Sequence, residues 1–215
     1  MKQYSSTHKR KKIFSGGYTF IEVLVVMAIV GVLGITISKF QGDVFSFNRY
    51  FSNSLSVGDS AQKLLRPMTA EIRSASPSSN GAYPIDSIAD NSFSFYSDID
   101  NDGLKEWVKY TLSGTTLSKE TIKPSGNPLT YNSANKITKT FMTGVRNITD
   151  GIPVFTYYDS TYTGGSGGVV SPTTGSLSSI RLISVKIRLD PDPNQSPTTV
   201  EVSTQVAIRN LKVQQ

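Results

Sequence analysis

An α+β protein is predicted: one long N-terminal helix followed by an antiparallel β-sheet. Three features carry that prediction. An apolar run occupies Phe20–Ile37, an amphipathic continuation reaches a break at Ser76-Pro77, and strand periods with turn punctuation follow from Ser92 onward.

The apolar run holds a single charge, Glu22. A helix rises about 1.5 Å per residue, so the run covers most of a hydrocarbon core about 30 Å thick. The basic cluster Lys9–Lys12 stays on the cytoplasmic side and places the C-terminal bulk outside. An ordinary secretory signal carries small residues at a cleavage site after its apolar run. Here Ser38, Lys39, Phe40 and Gln41 follow the run, and the small pair Gly16-Gly17 precedes it. Gly31 and Gly34, late in the run, lower helix propensity by up to about 1 kcal/mol each but permit close helix approach.

A carboxylate inside such a segment costs about 2.5–3.5 kcal/mol on insertion. Glu22 is relieved either by protonation, by a nearby cation, or by an interfacial position at the membrane surface. Cleavage just before Tyr18 would create a cation one helical turn away, the new amine, which the carboxylate can meet in its own chain or in a neighbouring one.

Beyond Lys39 the apolar positions Phe40, Val44, Phe47, Phe51, Leu55, Leu65, Met68, Ile72 and Ala75 fit one helical face. Gly42, Gly58 and Pro67 interrupt the stripe and predict a bend near residues 63–67. The predicted helix runs from about Thr19 to Ser76. Predicted strands are Phe93–Ser97, Glu106–Leu112, Thr115–Thr121, Val154–Tyr158, Ile180–Leu189 and Thr198–Ile208, with a tight hairpin at Ser113-Gly114. Alternation along Arg181, Ile183, Val185, Ile187 and Leu189 marks a half-buried strand. Residues 163–176 are rich in Gly, Ser and Thr and read as flexible, and Asp190–Pro197 reads as a turn or exposed loop.

Composition narrows the function. The 215-residue chain has 22 basic and 16 acidic residues, a net charge of +6. Lys2, Lys9, Arg10, Lys11 and Lys12 precede Gly17 and no acid does, so removal of these five leaves 17 basic against 16 acidic residues, or +1. A basic nucleic-acid surface is therefore not expected. Cysteine is absent, and the one histidine, His8, lies in the basic tail. Disulfides, cysteine-bound zinc and thiol nucleophiles are excluded, and the processed chain would also lack the commonest general base. With no Gly-x-Ser-x-Gly elbow either, a membrane-tethered hydrolase is weakly supported and no enzyme is expected.

A second constellation is Asp98-Ile-Asp100-Asn-Asp102-Gly-Leu104-Lys-Glu106. Carboxylates at alternate positions followed by a glycine match the first half of a calcium loop, to which the Leu104 carbonyl and Glu106 carboxylate can add. Lys109 stands where an EF-hand closes with a bidentate glutamate, and the flanks read as strands. The loop is thus read either as a Ca2+ clamp between two strands or as a solvated acidic turn whose repulsion is relieved another way.

The sequence Lys-Ile-Phe-Ser-Gly-Gly, then Tyr-Thr-Phe-Ile-Glu-Val-Leu-Val, resembles the class III leader of type IV prepilins and pseudopilins. The resemblance implies cleavage by a prepilin peptidase after Gly17 and methylation of Tyr18, where the family more often has Phe. Glu22 is then the fifth mature residue, which in that family serves assembly by neutralising a neighbour's amine. Lys39 stands where many pilins carry a proline. Further along, Glu71-Ile-Arg-Ser-Ala-Ser-Pro, Val108-Lys-Tyr-Thr-Leu and Val206-Ala-Ile-Arg-Asn-Leu-Lys resemble W-type minor pilins and J-type minor pseudopilins.

The implied organisation is a leader at 1–17, a transmembrane and filament-core helix at 18–38, its amphipathic continuation at 39–76, and an outward β-rich head of pilin-like fold at 77–215. The implied role is a structural minor subunit of a type IV pilus or type II secretion pseudopilus. It would be held in the bacterial inner membrane before assembly and in the filament afterwards. Its partners would be other pilin-like subunits, the peptidase and an inner-membrane assembly platform. A competing role is a tip module that binds DNA or a surface. The near-neutral processed charge and the absence of basic residues in Tyr157–Ser176 oppose nucleic acid.

Overall fold

The computed structural model of the chain describes residues 16–165, 167–190 and 199–211. The basic leader before Gly16 and nearly all of the predicted loop after Asp190 lie outside them. Helix α1 runs Phe20–Arg73, and the chain divides into two compact units between Tyr50 and Phe51, within that helix. Gly42, Gly58 and Pro67 interrupt the apolar stripe without ending the helix, and Pro67 lies inside it.

From Phe20 to Ile37 the helix carries no charge other than Glu22 and is apolar on all sides. Phe20–Asn48 has a mean hydropathy of 2.7 over its most apolar window, none of which is buried. Its 29 residues extend about 44 Å, more than a hydrocarbon core of about 30 Å requires. Phe20, Ile21, Met27, Val30, Ile35 and Phe40 all stand open. The hydroxyls of Thr36 and Ser38 donate to the Val32 and Gly34 carbonyls, each at 2.8 Å, so neither needs an outside partner. This is one helix long and apolar enough to cross a membrane.

Among the described residues, the second unit holds the rest of α1 and nine strands. Ala61, Leu65, Met68 and Ile72 recur at helical spacing and are buried. They join one core with Phe93, Phe95, Tyr110 and Leu117 on one side and Phe155, Ile183, Val185 and Val206 on the other. Full burial of a side chain such as Met68 or Ile72 is worth about 1.5–3 kcal/mol. At the helix end, Glu71 accepts from the Tyr110 hydroxyl at 2.8 Å and pairs with Lys119 at 2.5 Å, tying α1 to the first sheet.

Where one sheet is predicted, the strands form two. Strands β1 (Ile85–Ala89), β2 (Ser92–Ser97), β3 (Glu106–Ser113), β4 (Thr116–Ile122) and β5 (Ile137–Met142) form an antiparallel meander in chain order. Strands β6 (Phe155–Tyr158), β7 (Val169–Val170), β8 (Leu182–Leu189) and β9 (Val200–Ala207) form a second antiparallel sheet in the order β7-β6-β8-β9. The predicted alternation in β8 holds, with Ile183, Val185, Ile187 and Leu189 inward. The β3–β4 hairpin turns on Gly114-Thr115, one residue later than predicted, with Gly114 at φ +57°. Strands β1, β5 and β7 are not among the predicted ones, and β7 falls in the segment read as flexible.

The two sheets meet at the β1–β2 turn. The Asp90 carbonyl accepts from the Val154 and Phe155 N–H groups at 2.8 and 2.9 Å. The Tyr157 hydroxyl reaches the carbonyls of Ala89 at 2.9 Å and Ser92 at 3.2 Å. Burial first, and the nearby Asp90 charge with it, push the Tyr157 hydroxyl pKa far up despite its hydrogen bond at Ala89, so it stays a neutral donor.

Asn147 closes the loop before β6 against β8. It is fully buried, its Nδ2 donating to the Lys186 carbonyl at 2.8 Å and its Oδ1 accepting from the Arg188 N–H at 2.7 Å. Asn147→Ala would leave both strand groups unpaired in the interior. The expected loss is about 2 kcal/mol or more, checked by thermal melting of the full chain in detergent. A loss below about 0.5 kcal/mol would mean that water replaces the amide at no cost.

Candidate functional site

The N-terminal site begins with Gly16 and Gly17, which lie outside any helix and carry nothing within 4 Å of where a Cβ would stand. Tyr18 is 85% exposed. Helix α1 then starts on a reciprocal cap. The Glu22 N–H donates to the Thr19 hydroxyl at 3.3 Å, and the Thr19 N–H donates back to Glu22 Oε2, also at 3.3 Å. Two of the four unpaired N–H groups of a helix start are thereby satisfied. The Thr-x-x-Glu spacing at 19–22 is the sequence signature of such a box, so Glu22 has a local duty besides any charge partner.

The second site is the β2–β3 loop. The pairing of Ser97 with Glu106 closes it, and the acidic residues fall between. Asn101 at φ +60° and Gly103 at φ +92° turn the chain inward, the latter a conformation that side chains other than glycine rarely adopt. Asp98 accepts from the Asp102 and Gly103 N–H groups, each at 3.1 Å. Asp100 Oδ1 also accepts from the Asp102 N–H, at 3.3 Å, and Asp102 Oδ1 accepts from the Leu104 N–H at 2.9 Å. The far end of the loop is anchored: the Lys105 N–H donates to the Ser79 hydroxyl at 2.8 Å, and the Tyr131 hydroxyl donates to the Lys105 carbonyl at 2.6 Å.

Two lysines neutralise the open side. Lys105 Nζ pairs with Asp98 at 3.1 Å, and Lys123 Nζ pairs with Asp100 at 2.8 Å and with Asp102. Lys123 is remote in sequence, but Ile122 pairs with Trp107, so the residue after Ile122 arrives level with the loop. Hydrogen bonds to Asp100 and Asp102 hold the Lys123 ammonium pKa well above the usual lysine range. Burial pushes Asp98 up, but the Lys105 and Gly103 hydrogen bonds outweigh it and leave the carboxyl below its ordinary range. Asp102 is held low by Lys123 first and by the Leu104 N–H.

Glu106 differs. It is only 3% exposed, and burial lifts its pKa above the ordinary glutamate value against the pull of its Ile99 hydrogen bond. Oε2 accepts the Ile99 N–H at 3.0 Å, while Oε1 is buried without a hydrogen-bond partner. One oxygen from each of Asp98, Asp100 and Glu106 lies within 4.8 Å of the other two. Of the predicted ligands, the fold therefore gathers these three. Asp102 faces Lys123 instead, and Leu104 contributes its N–H to Asp102. Lys123 escapes local spacing rules, because only the strand register brings it to the loop. No protein-family model and no curated protein matches the chain.

Proposed function

We propose that the chain is a structural subunit, of the minor class, of a type IV pilus or type II secretion pseudopilus. On this reading a prepilin peptidase processes it after Gly17, and α1 anchors it in the bacterial inner membrane before the filament takes it up. One observation carries the reading: Phe20–Ile37 is apolar on every face apart from Glu22, lies unburied within a helix long enough to cross a membrane, follows a Gly-Gly pair, and has its acid in the first turn. Such a helix needs lipid or other helices around it, and a filament core supplies the second after a membrane supplies the first. The α+β head that follows is compatible with a pilin-like fold. Calcium, if bound, is structural in this scheme, and no catalytic group is required.

Variants at the helix start test the reading. Glu22→Val should insert and be cleaved, because the segment becomes more apolar. Glu22→Gln preserves the capping geometry but removes the charge. Both should be depleted from sheared filaments about thirtyfold, as expected when a buried charge loses its partner at a cost of about 2 kcal/mol or more. Thr19→Ala, which loses the cap and keeps the charge, should still assemble. Normal incorporation of Glu22→Gln would restrict Glu22 to capping. Absence of the unaltered chain from filaments made by its own host would remove the subunit reading.

A further inference from the structure

We propose that Asp98, Asp100 and Glu106 form a calcium site that Lys105 and Lys123 hold shut when the ion is absent. The inference does not depend on the filament reading, since it rests on the head alone.

Glu106 is the unbalanced charge of the loop. A carboxylate with one oxygen buried and unpartnered is costly unless a cation or donor reaches it. Among the described residues no lysine or arginine pairs with it, and the Ile99 N–H binds the other oxygen. The two lysines of the loop neutralise Asp98, Asp100 and Asp102 only. Negative charge is therefore balanced on the open side of the loop and unbalanced on its inner side.

The spacing fits a particular kind of cation. Calcium–oxygen distances are about 2.3–2.6 Å, so two ligands of one ion stand at most about 5 Å apart. The three carboxylate oxygens, all within 4.8 Å of one another, meet that limit without rearrangement. The donors are all hard oxygens, which suits calcium, magnesium or manganese and disfavours zinc or copper. An irregular loop with side chains between 3% and 48% exposed supplies no octahedral cage, and calcium tolerates irregular geometry where magnesium does not. Remaining ligand positions fall to water on the open side.

The lysines then acquire a role. With the ion bound, Asp98 and Asp100 exchange ammonium partners for a divalent one, and Lys123 keeps Asp102. Ion and lysine compete for the same carboxylates, so removing the lysine should favour the ion. A merely solvated acidic turn predicts no saturable binding in any variant.

The full chain in detergent micelles should be titrated with CaCl2 by calorimetry and with Tb3+ by luminescence, excited through Trp107, the single tryptophan, next to Glu106. One saturable site is expected. Glu106→Gln, which retains an acceptor for the Ile99 N–H, should weaken binding at least tenfold. Asp100→Asn should do the same on a half-exposed side chain, where folding is not at risk. Lys123→Met should tighten binding several-fold. No calcium binding at millimolar concentration would overturn the proposal. So would calcium binding unchanged in Glu106→Gln, magnesium binding as tight as calcium, or Lys123→Met binding no more tightly than the unaltered chain.

Discussion

Gly17→Val is expected to leave the whole basic tail on the protein. The substitution is nearly silent for the chain itself. Gly17 lies before the first helical residue, and a Cβ there meets nothing within 4 Å. Helix α1, its Thr19–Glu22 cap and the head are therefore unchanged by the added side chain. Any loss of processing then reports recognition by a peptidase that requires a small residue at the cut. The expected result is all-or-none: the unaltered chain matures to Tyr18 with an N-methyl group, and the variant retains Met1 or Lys2 together with five extra positive charges. Intact-mass measurement and N-terminal sequencing of the membrane fraction read both. A mature start beyond Lys39 in the unaltered chain would mean an ordinary signal peptide. Normal maturation of Gly17→Val would place the cut elsewhere.

Where sequence reading succeeds and where it stops follows from the range of the interactions concerned. Leu65, Met68 and Ile72 are legible because a helix face is a local period, and the apolar run is legible because lipid-compatible length needs no partner. Strands β3 and β8 are legible because their buried positions alternate, one side of each facing a core, and β4 because a Ser-Gly turn signal pairs it with β3. Strand β5, by contrast, has four exposed residues in succession, and β7 has only two residues among glycines. Neither leaves a periodic trace. Division into two sheets depends on Asp90, Tyr157 and Asn147 making contacts across tens of residues, which no local pattern announces. The acidic loop shows both limits at once. Alternate spacing finds Asp98 and Asp100, while the burial of Glu106 and the arrival of Lys123 depend on strand register.

Phe93→Ala is expected to be among the most damaging single truncations in the head. Phe93 is fully buried in β2, with its ring centroid 5.2 Å from Phe95, 5.8 Å from Phe155 and 5.7 Å from Tyr157. The last two belong to β6, so this ring joins the two sheets as well as filling the core of one. Truncating a buried phenylalanine costs about 3–5 kcal/mol, a large part of a typical stability of about 5–15 kcal/mol. For a domain of this size that corresponds to a fall in Tm of about 6–20 °C. Phe93→Leu, which retains most of the volume, should lose markedly less. Ile137→Ala on the exposed face of β5, at 58% exposure, should stay within about 0.5 kcal/mol. Melting followed by Trp107 fluorescence gives the totals, and hydrogen exchange shows their distribution. If Phe93 couples the sheets, its loss should raise exchange in β3 and β8 together, since both then open in one cooperative unit. Faster exchange in β3 with β8 unchanged would mean that the second sheet holds without it, and that the Asp90 and Tyr157 hydrogen bonds carry the junction alone.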